Sequence, residues 1–248
     1  MSYLRLKRGR LILACFLIVS ALLMAFPAID VSISRLFFDH GFLLGGQQLQ
    51  ATFQKALCAF LSLSMALVVG IYLFNRSSKN ALWAVDGKKV CYLFLVLIVG
   101  SGLIVNVGLK DNFGRARPRD VVEFGGSKLF TPAFVVSKEC RKNCSFSSGE
   151  ASGAFFSLAL ALALSKRRRL IAAAVGLGVL VSLGRIAAGG HFFSDTVVSF
   201  FVMLILADVL HHYMLLPACE REKTPTRVPA LNPITPVAFA LDALPTRD

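Results

Sequence analysis

Three polar clusters interrupt an otherwise apolar sequence, and their residue types suit phosphate chemistry. They are KDNFGRARP (Lys110 to Pro118), CSFSSGEAS (Cys144 to Ser152) and GRIAAGGHFFSD (Gly184 to Asp195). Lys110 and Arg117 supply fixed positive charge, and an arginine fork can grip two phosphate oxygens at once. Ser148 and Gly149 stand where a helix is expected to begin, so free backbone N–H groups and the helix dipole favour an anion there. Arg185 adds another cation. His191 and Asp195 are four residues apart, which on a helix places them on one face. The carboxylate can then accept from one ring nitrogen and leave the other as nucleophile or base. Gly189-Gly190 lets the backbone turn and approach a ligand closely. Together these groups suggest phosphoryl transfer at a histidine.

Each signal alone has a plainer reading. An arginine such as Arg115 or Arg119 near a helix end commonly snorkels to lipid headgroups. A His–Asp pair is often only structural, and Ser-Ser-Gly at a helix start is often only a cap. The convergence of all three clusters on one membrane face is what argues for a site.

The elements that position these residues are long apolar runs. The chain has 248 residues, a formal net charge of +13 and a mean hydropathy of +0.67. Apolar blocks at 11–29, 56–74, 90–109, 150–165, 170–188 and 196–216 end at charges, and each approaches the ~20 residues that cross a bilayer core. The expected fold is all-α: a polytopic membrane protein with a six-transmembrane-helix bundle over residues 1–216. A Pro-rich cytoplasmic tail covers 217–248. The fourth and fifth runs are short, which suits a site sunk slightly below the headgroups. The first block follows basic residues as a signal peptide does, but it is long and no convincing A-x-A site follows, so it reads as a retained anchor.

Lysine and arginine cluster in alternate connections: Arg5 to Arg10, Arg76 to Lys89, Lys166 to Arg169, and Arg221 to Arg227. The positive-inside rule places these, and both termini, in the cytoplasm. Most of the positive charge is thereby explained without nucleic acid. The 110–150 loop is the exception. It should be external, yet it carries Lys110, Arg115, Arg117, Arg119, Lys128, Lys138, Arg141 and Lys142 against Asp111, Asp120, Glu123 and Glu139. An anionic ligand is the natural counterpart of such a loop. Cys140 and Cys144 share it, either as a disulfide or as two free thiols, and their spacing lacks companion zinc ligands. Cys15, Cys58 and Cys91 read as small apolar fillers, and Cys219 falls on the cytoplasmic side. Leu36-Phe37-Phe38 and Phe42-Leu43-Leu44 suggest an interfacial segment on the outer leaflet.

These residues resemble the type 2 phosphatidic acid phosphatase family, whose pattern is K-x6-RP, then PSGH, then SR-x5-H-x3-D on a six-helix membrane core. Lys110, Arg117 and Pro118 meet the first motif. Arg185, His191 and Asp195 meet the third, with Gly184 in place of its serine. The resemblance covers roughly residues 56–212. It implies no metal or other cofactor, a phosphohistidine on His191, and phosphate held by Lys110, Arg117, Arg185 and the Ser148-Gly149 amides. The second motif departs, with Glu150 where the family has histidine. That histidine looks like the acid that protonates the leaving oxygen. Glu150 could replace it, or could only pair with a cation or cap its helix.

The SFSSGEAS variant and the short chain are similar to the branch that removes the 4′-phosphate of lipid A in Gram-negative bacteria. The implied partner is a lipid phosphate in the outer leaflet of the inner membrane. Undecaprenyl pyrophosphate, phosphatidylglycerol phosphate and phosphatidic acid stay open as substrates, as does a phosphotransferase with a lipid hydroxyl in place of water. A non-catalytic lipid-phosphate-binding protein is the rival class. Transporters carry polar residues near the bilayer midplane, whereas here they sit at span ends, which favours an enzyme.

Overall fold

The computed structural model describes residues 2–78, 84–165 and 167–216, with side chains from residue 8 onward. The Pro-rich tail at 217–248, with Cys219, lies outside the described residues. Helix α1 (Ser2–Ala25) is followed by the short α2 (Ala28–Arg35) and the long α3 (Gln47–Ser77). Helix α4 (Gly87–Lys110) starts with ordinary α turns and widens into π-type turns over Val96–Lys110. Helices α5 (Gly149–Leu164), α6 (Arg168–Ala187) and α7 (Phe193–Leu215) complete the bundle. The described residues form no sheet.

Among the described residues, five helices are long and apolar enough to cross a membrane: α1 from Arg8, α3, α4, α6 and α7. The expected fourth span, α5, has 16 residues. At ~1.5 Å per residue it is shorter than the ~30 Å hydrocarbon core. Two expectations need correction. The second span starts at Gln47 rather than near residue 56, because glutamine and alanine continue the helix below the apolar run. The fifth is not short: α6 runs 20 residues and carries Arg185 in its last turn.

Protein, rather than lipid, surrounds α5. It packs against α4, α6 and α7. Ala151, Gly153, Ala154, Phe156, Ala159 and Leu162 are among its buried residues. Small side chains let helix backbones approach closely. A Cβ at Gly178 of α6 would overlap the Phe155 ring of α5, so this contact needs glycine. The outward faces are apolar: Leu17, Leu67, Ile98 and Leu180 are each more than half exposed. That polarity is expected where the solvent is hydrocarbon. Cys15, Cys58 and Cys91 are exposed on these faces and do not fill the core as expected.

The 110–150 connection folds over one end of the bundle. Its Phe124 meets Phe38 and Phe42, with ring centroids 5.2 Å apart in each case. Ala116, Val121, Phe124 and Phe192 form the buried centre of this cap. The 30–55 segment therefore only partly matches the expected interfacial strip. Leu36 and Leu43 stay exposed, while Phe38 and Phe42 turn inward. Gly114 at φ +61° places its carbonyl to accept from the Ser137 hydroxyl at 2.6 Å, tying the loop to itself. Cys140 and Cys144 are joined in a disulfide.

Candidate active site

The end of α4, the start of α5, the end of α6 and the start of α7 meet beneath this cap. Lys110 is the last residue of α4, and Arg185 lies in the last turn of α6. Arg117 opens the short turn Pro118–Asp120. All three are buried, and all three line one cavity of about 450 Å³. Gly45, Gln47, Gln50, Gln54, Asn143 and Glu150 also line it.

The three cations differ in how far the protein satisfies them. Arg117 donates from Nε and Nη2 to the Asn143 carbonyl at 3.2 and 2.8 Å, and from Nη2 to the Asn143 side-chain oxygen at 2.9 Å. Burial lowers its pKa, with the neighbouring Arg119 and Arg185 charges adding to that and Glu150 opposing it. Lys110 makes no hydrogen bond among the described residues. Among the described residues the buried Nε of Arg185 has no partner, and its Nη2 reaches Glu150 Oε1 only at 3.5 Å. Buried donors are nearly always satisfied, so the open Nε of Arg185 is available to an anion in the cavity.

His191 is wholly buried behind Glu150. Its Nδ1 lies 2.7 Å from the Ser145 carbonyl, which can only accept, so Nδ1 carries a proton. Its Nε2 lies 3.2 Å from Glu150 Oε2. With Nδ1 protonated, that contact requires one further proton, shared between Nε2 and the carboxyl group. The pair thus holds both a potential nucleophile and the proton that a leaving oxygen needs.

The expected His191–Asp195 hydrogen bond is absent. His191 precedes α7, whose first residue is Phe193, so the two residues do not share a helical face. Asp195 Oδ2 stands 3.7 Å from Nδ1, beyond hydrogen-bond reach. It accepts instead from the Ser145 hydroxyl and, at 2.8 Å, from the Phe192 amide. Asp195 therefore orients the histidine through Ser145: it anchors the residue whose carbonyl receives the Nδ1 proton.

Asp30 and Arg115 were not among the sequence candidates. Arg115 does not snorkel. It is buried, donating from Nη1 to Asp195 at 2.6 Å and from Nη2 to Asp30 at 2.8 Å. It also lies 4.4 Å from the Phe192 ring centroid. Asp30 accepts further from the Ser194 amide at 2.8 Å and from its hydroxyl. An acid at the end of an apolar run and an arginine in a loop are the kind of ionisable pair that membranes retain for a purpose, but nothing in their spacing links them.

Ser148 is the N-cap of α5, accepting from the Ala151 amide at 3.2 Å. Its own amide points to the Asp195 carbonyl at 3.4 Å, so it is engaged rather than free as expected. Gly149 follows as the first helical residue, where amides precede the first intrahelical bond. Gly189, at φ +62°, makes the turn between α6 and His191, and its carbonyl accepts from the Arg119 amide at 3.1 Å. Among the described residues, no group of three or more His, Cys, Asp or Glu side chains is placed to hold a metal ion. A second cavity, of about 420 Å³, lies at the far end of the bundle, but its Arg8 is already paired with Asp208 at 3.2 Å.

The PAP2 superfamily pattern matches residues 89–216, which carry every cation and acid of this cavity floor. The chain belongs to the PAP2 superfamily. This PAP2 phosphatase is 35% identical over 178 residues to a lipid A 4′-phosphatase of Francisella tularensis subsp. novicida, covering 69% of this chain and 80% of that one. It is 31% identical over 210 residues to a lipid A 4′-phosphatase of Rhizobium leguminosarum, covering 77% and 89%. Its fold matches a transmembrane PAP2-type phosphatidylglycerolphosphate phosphatase from Bacillus subtilis with a TM-score of 0.55 at 20% identity, covering 83% of this chain and 94% of that one.

Proposed function

We propose that this membrane lipid phosphatase removes the 4′-phosphate of lipid A through a phosphohistidine on His191. The observation that carries the chemistry is the buried, unpartnered Nε of Arg185, with Lys110 lining the same cavity, beside a histidine and a glutamate in hydrogen-bond contact. The identity of the two lipid A 4′-phosphatase relatives supports the substrate.

The phosphate binds to Lys110, Arg117 and Arg185, with the Gly149 amide region at the α5 N-terminus. Its charge draws Arg185 away from Glu150, and Glu150 swings off His191 with the shared proton. His191 Nε2 attacks phosphorus in line, and the bond to the sugar oxygen breaks. Glu150 gives its proton to that oxygen. Water then attacks the phosphohistidine, Glu150 takes a proton from the water, and the P–N electron pair returns to Nε2. The Ser145 carbonyl keeps the Nδ1 proton throughout, so the ring presents one nitrogen to phosphorus.

The distribution of lysine and arginine supports an inner-membrane protein with both termini cytoplasmic and the site at the periplasmic face. In this reading residues 1–216 form the phosphatase domain, and the substrate arrives from the outer leaflet past the start of α3. The test is phosphate release by purified, detergent-solubilised protein without added metal. The substrates are lipid A, phosphatidylglycerol phosphate, phosphatidic acid and undecaprenyl pyrophosphate. Selective loss of one phosphate from lipid A is the expected result. Turnover of a different lipid alone retains the chemistry and discards the substrate. No turnover by folded protein that still binds phosphate discards catalysis.

A further inference from the structure

The cavity has a second wall that phosphate chemistry does not need. Gln47, Gln50 and Gln54 line it. Spaced three and four apart, they share one face of the first turns of α3. Most of that helix is apolar, with a mean hydropathy of 2.3 in its spanning window. Amides removed from water are unfavourable unless they find partners. Gln50 has them: its Nε2 donates to the Gly45 carbonyl at 2.9 Å, and its Oε1 accepts from Arg119 at 2.7 Å. Gln47 and Gln54 are exposed and make no hydrogen bond among the described residues, so their amides are open to a ligand.

A neutral amide adds little to phosphate binding beside three guanidinium and ammonium groups. It offers two donors and a carbonyl acceptor, the complement of adjacent ring hydroxyls and an N-acyl group. The cavity has the size of a small-ligand site rather than of a phosphate alone. We infer that Gln47 and Gln54, braced by Gln50, form a saccharide subsite that selects a phosphorylated amino-sugar lipid over a phosphorylated glycerolipid. This inference rests on the lipid A reading above and adds the residues that enforce it.

The test compares the parent with Gln47→Ala, Gln54→Ala and the double variant. Two quantities are measured in one detergent assay: kcat/KM on lipid A, and the Ki of inorganic phosphate as a competitive inhibitor. Each single variant should lower kcat/KM about 2–10-fold, and the pair about 10-fold or more, as expected for neutral hydrogen bonds. The phosphate Ki should stay at the parent value, which also reports an intact fold. Unchanged kcat/KM in the double variant overturns the subsite. A phosphate Ki that weakens in step with kcat/KM also overturns it, because the amides would then serve the phosphate or the fold. A parent that turns over glycerolipid phosphates but not lipid A overturns the substrate reading, and the subsite with it.

Discussion

Arg115 holds Asp195 at 2.6 Å, in a place where neither side chain meets solvent. Its other nitrogen holds Asp30 at 2.8 Å. One loop cation thereby ties the first turn of α2 to the first turn of α7, and Asp195 passes that order to Ser145 and His191. Removing one partner of a buried ion pair leaves uncompensated charge, at a cost of about 3–5 kcal/mol. Arg115→Ala should therefore lower the thermal unfolding midpoint in detergent markedly and abolish turnover. A midpoint equal to the parent's would show that the network does not hold the site together.

His191→Ala should lower kcat by ~10³-fold or more, while binding of inorganic phosphate survives, because the cations that hold the anion are untouched. Phosphate release and equilibrium phosphate binding on the same preparation check this. Loss of both would place His191 in the fold rather than in the reaction.

Glu150 lies within reach of both His191 and Arg185. Glu150→Gln keeps its shape but removes the exchangeable proton, so turnover should fall about 10²–10⁴-fold, the usual range for general acid–base catalysis. Phosphate release and an acid-labile adduct on His191, read by mass spectrometry under neutral conditions, would measure it. Activity near the parent's would make Glu150 an ion-pair partner only.

Asn143 lies between Cys140 and Cys144, and it holds Arg117 through its carbonyl and its side chain. Opening the disulfide should loosen Arg117 and raise KM by about 2–10-fold with little change in kcat, matching the loss of about one hydrogen bond. Kinetics before and after reduction, with intact mass to confirm the added hydrogens, give the comparison. An intact mass unchanged by reduction would count against the bond itself.

Much of this protein was legible in its sequence because hydrocarbon is an undemanding solvent to read. Spans need long apolar runs, and the runs ending near Ala25, Lys110 and Ala187 show themselves by composition. The cations Lys110, Arg117 and Arg185 were legible for the converse reason: charge at a span end requires a partner or a task. The short α5 was harder to read, because a helix wrapped by protein need not match the bilayer.

The sequence by itself determined the helical membrane architecture and the chemical types gathered at one end of it, since both follow from local composition and spacing. Only the tertiary structure decided the partners. It set Asp195 3.7 Å from His191 Nδ1, beyond a direct hydrogen bond, let Nδ1–H donate to the Ser145 carbonyl, and put Glu150 on Nε2. It brought Asp30 to Arg115 across 85 residues of sequence, and set the glutamines of α3 along the cavity that holds the cations. Hydrogen bonds act over about 3 Å, and which groups come that close is set by how helices pack, not by their order along the chain.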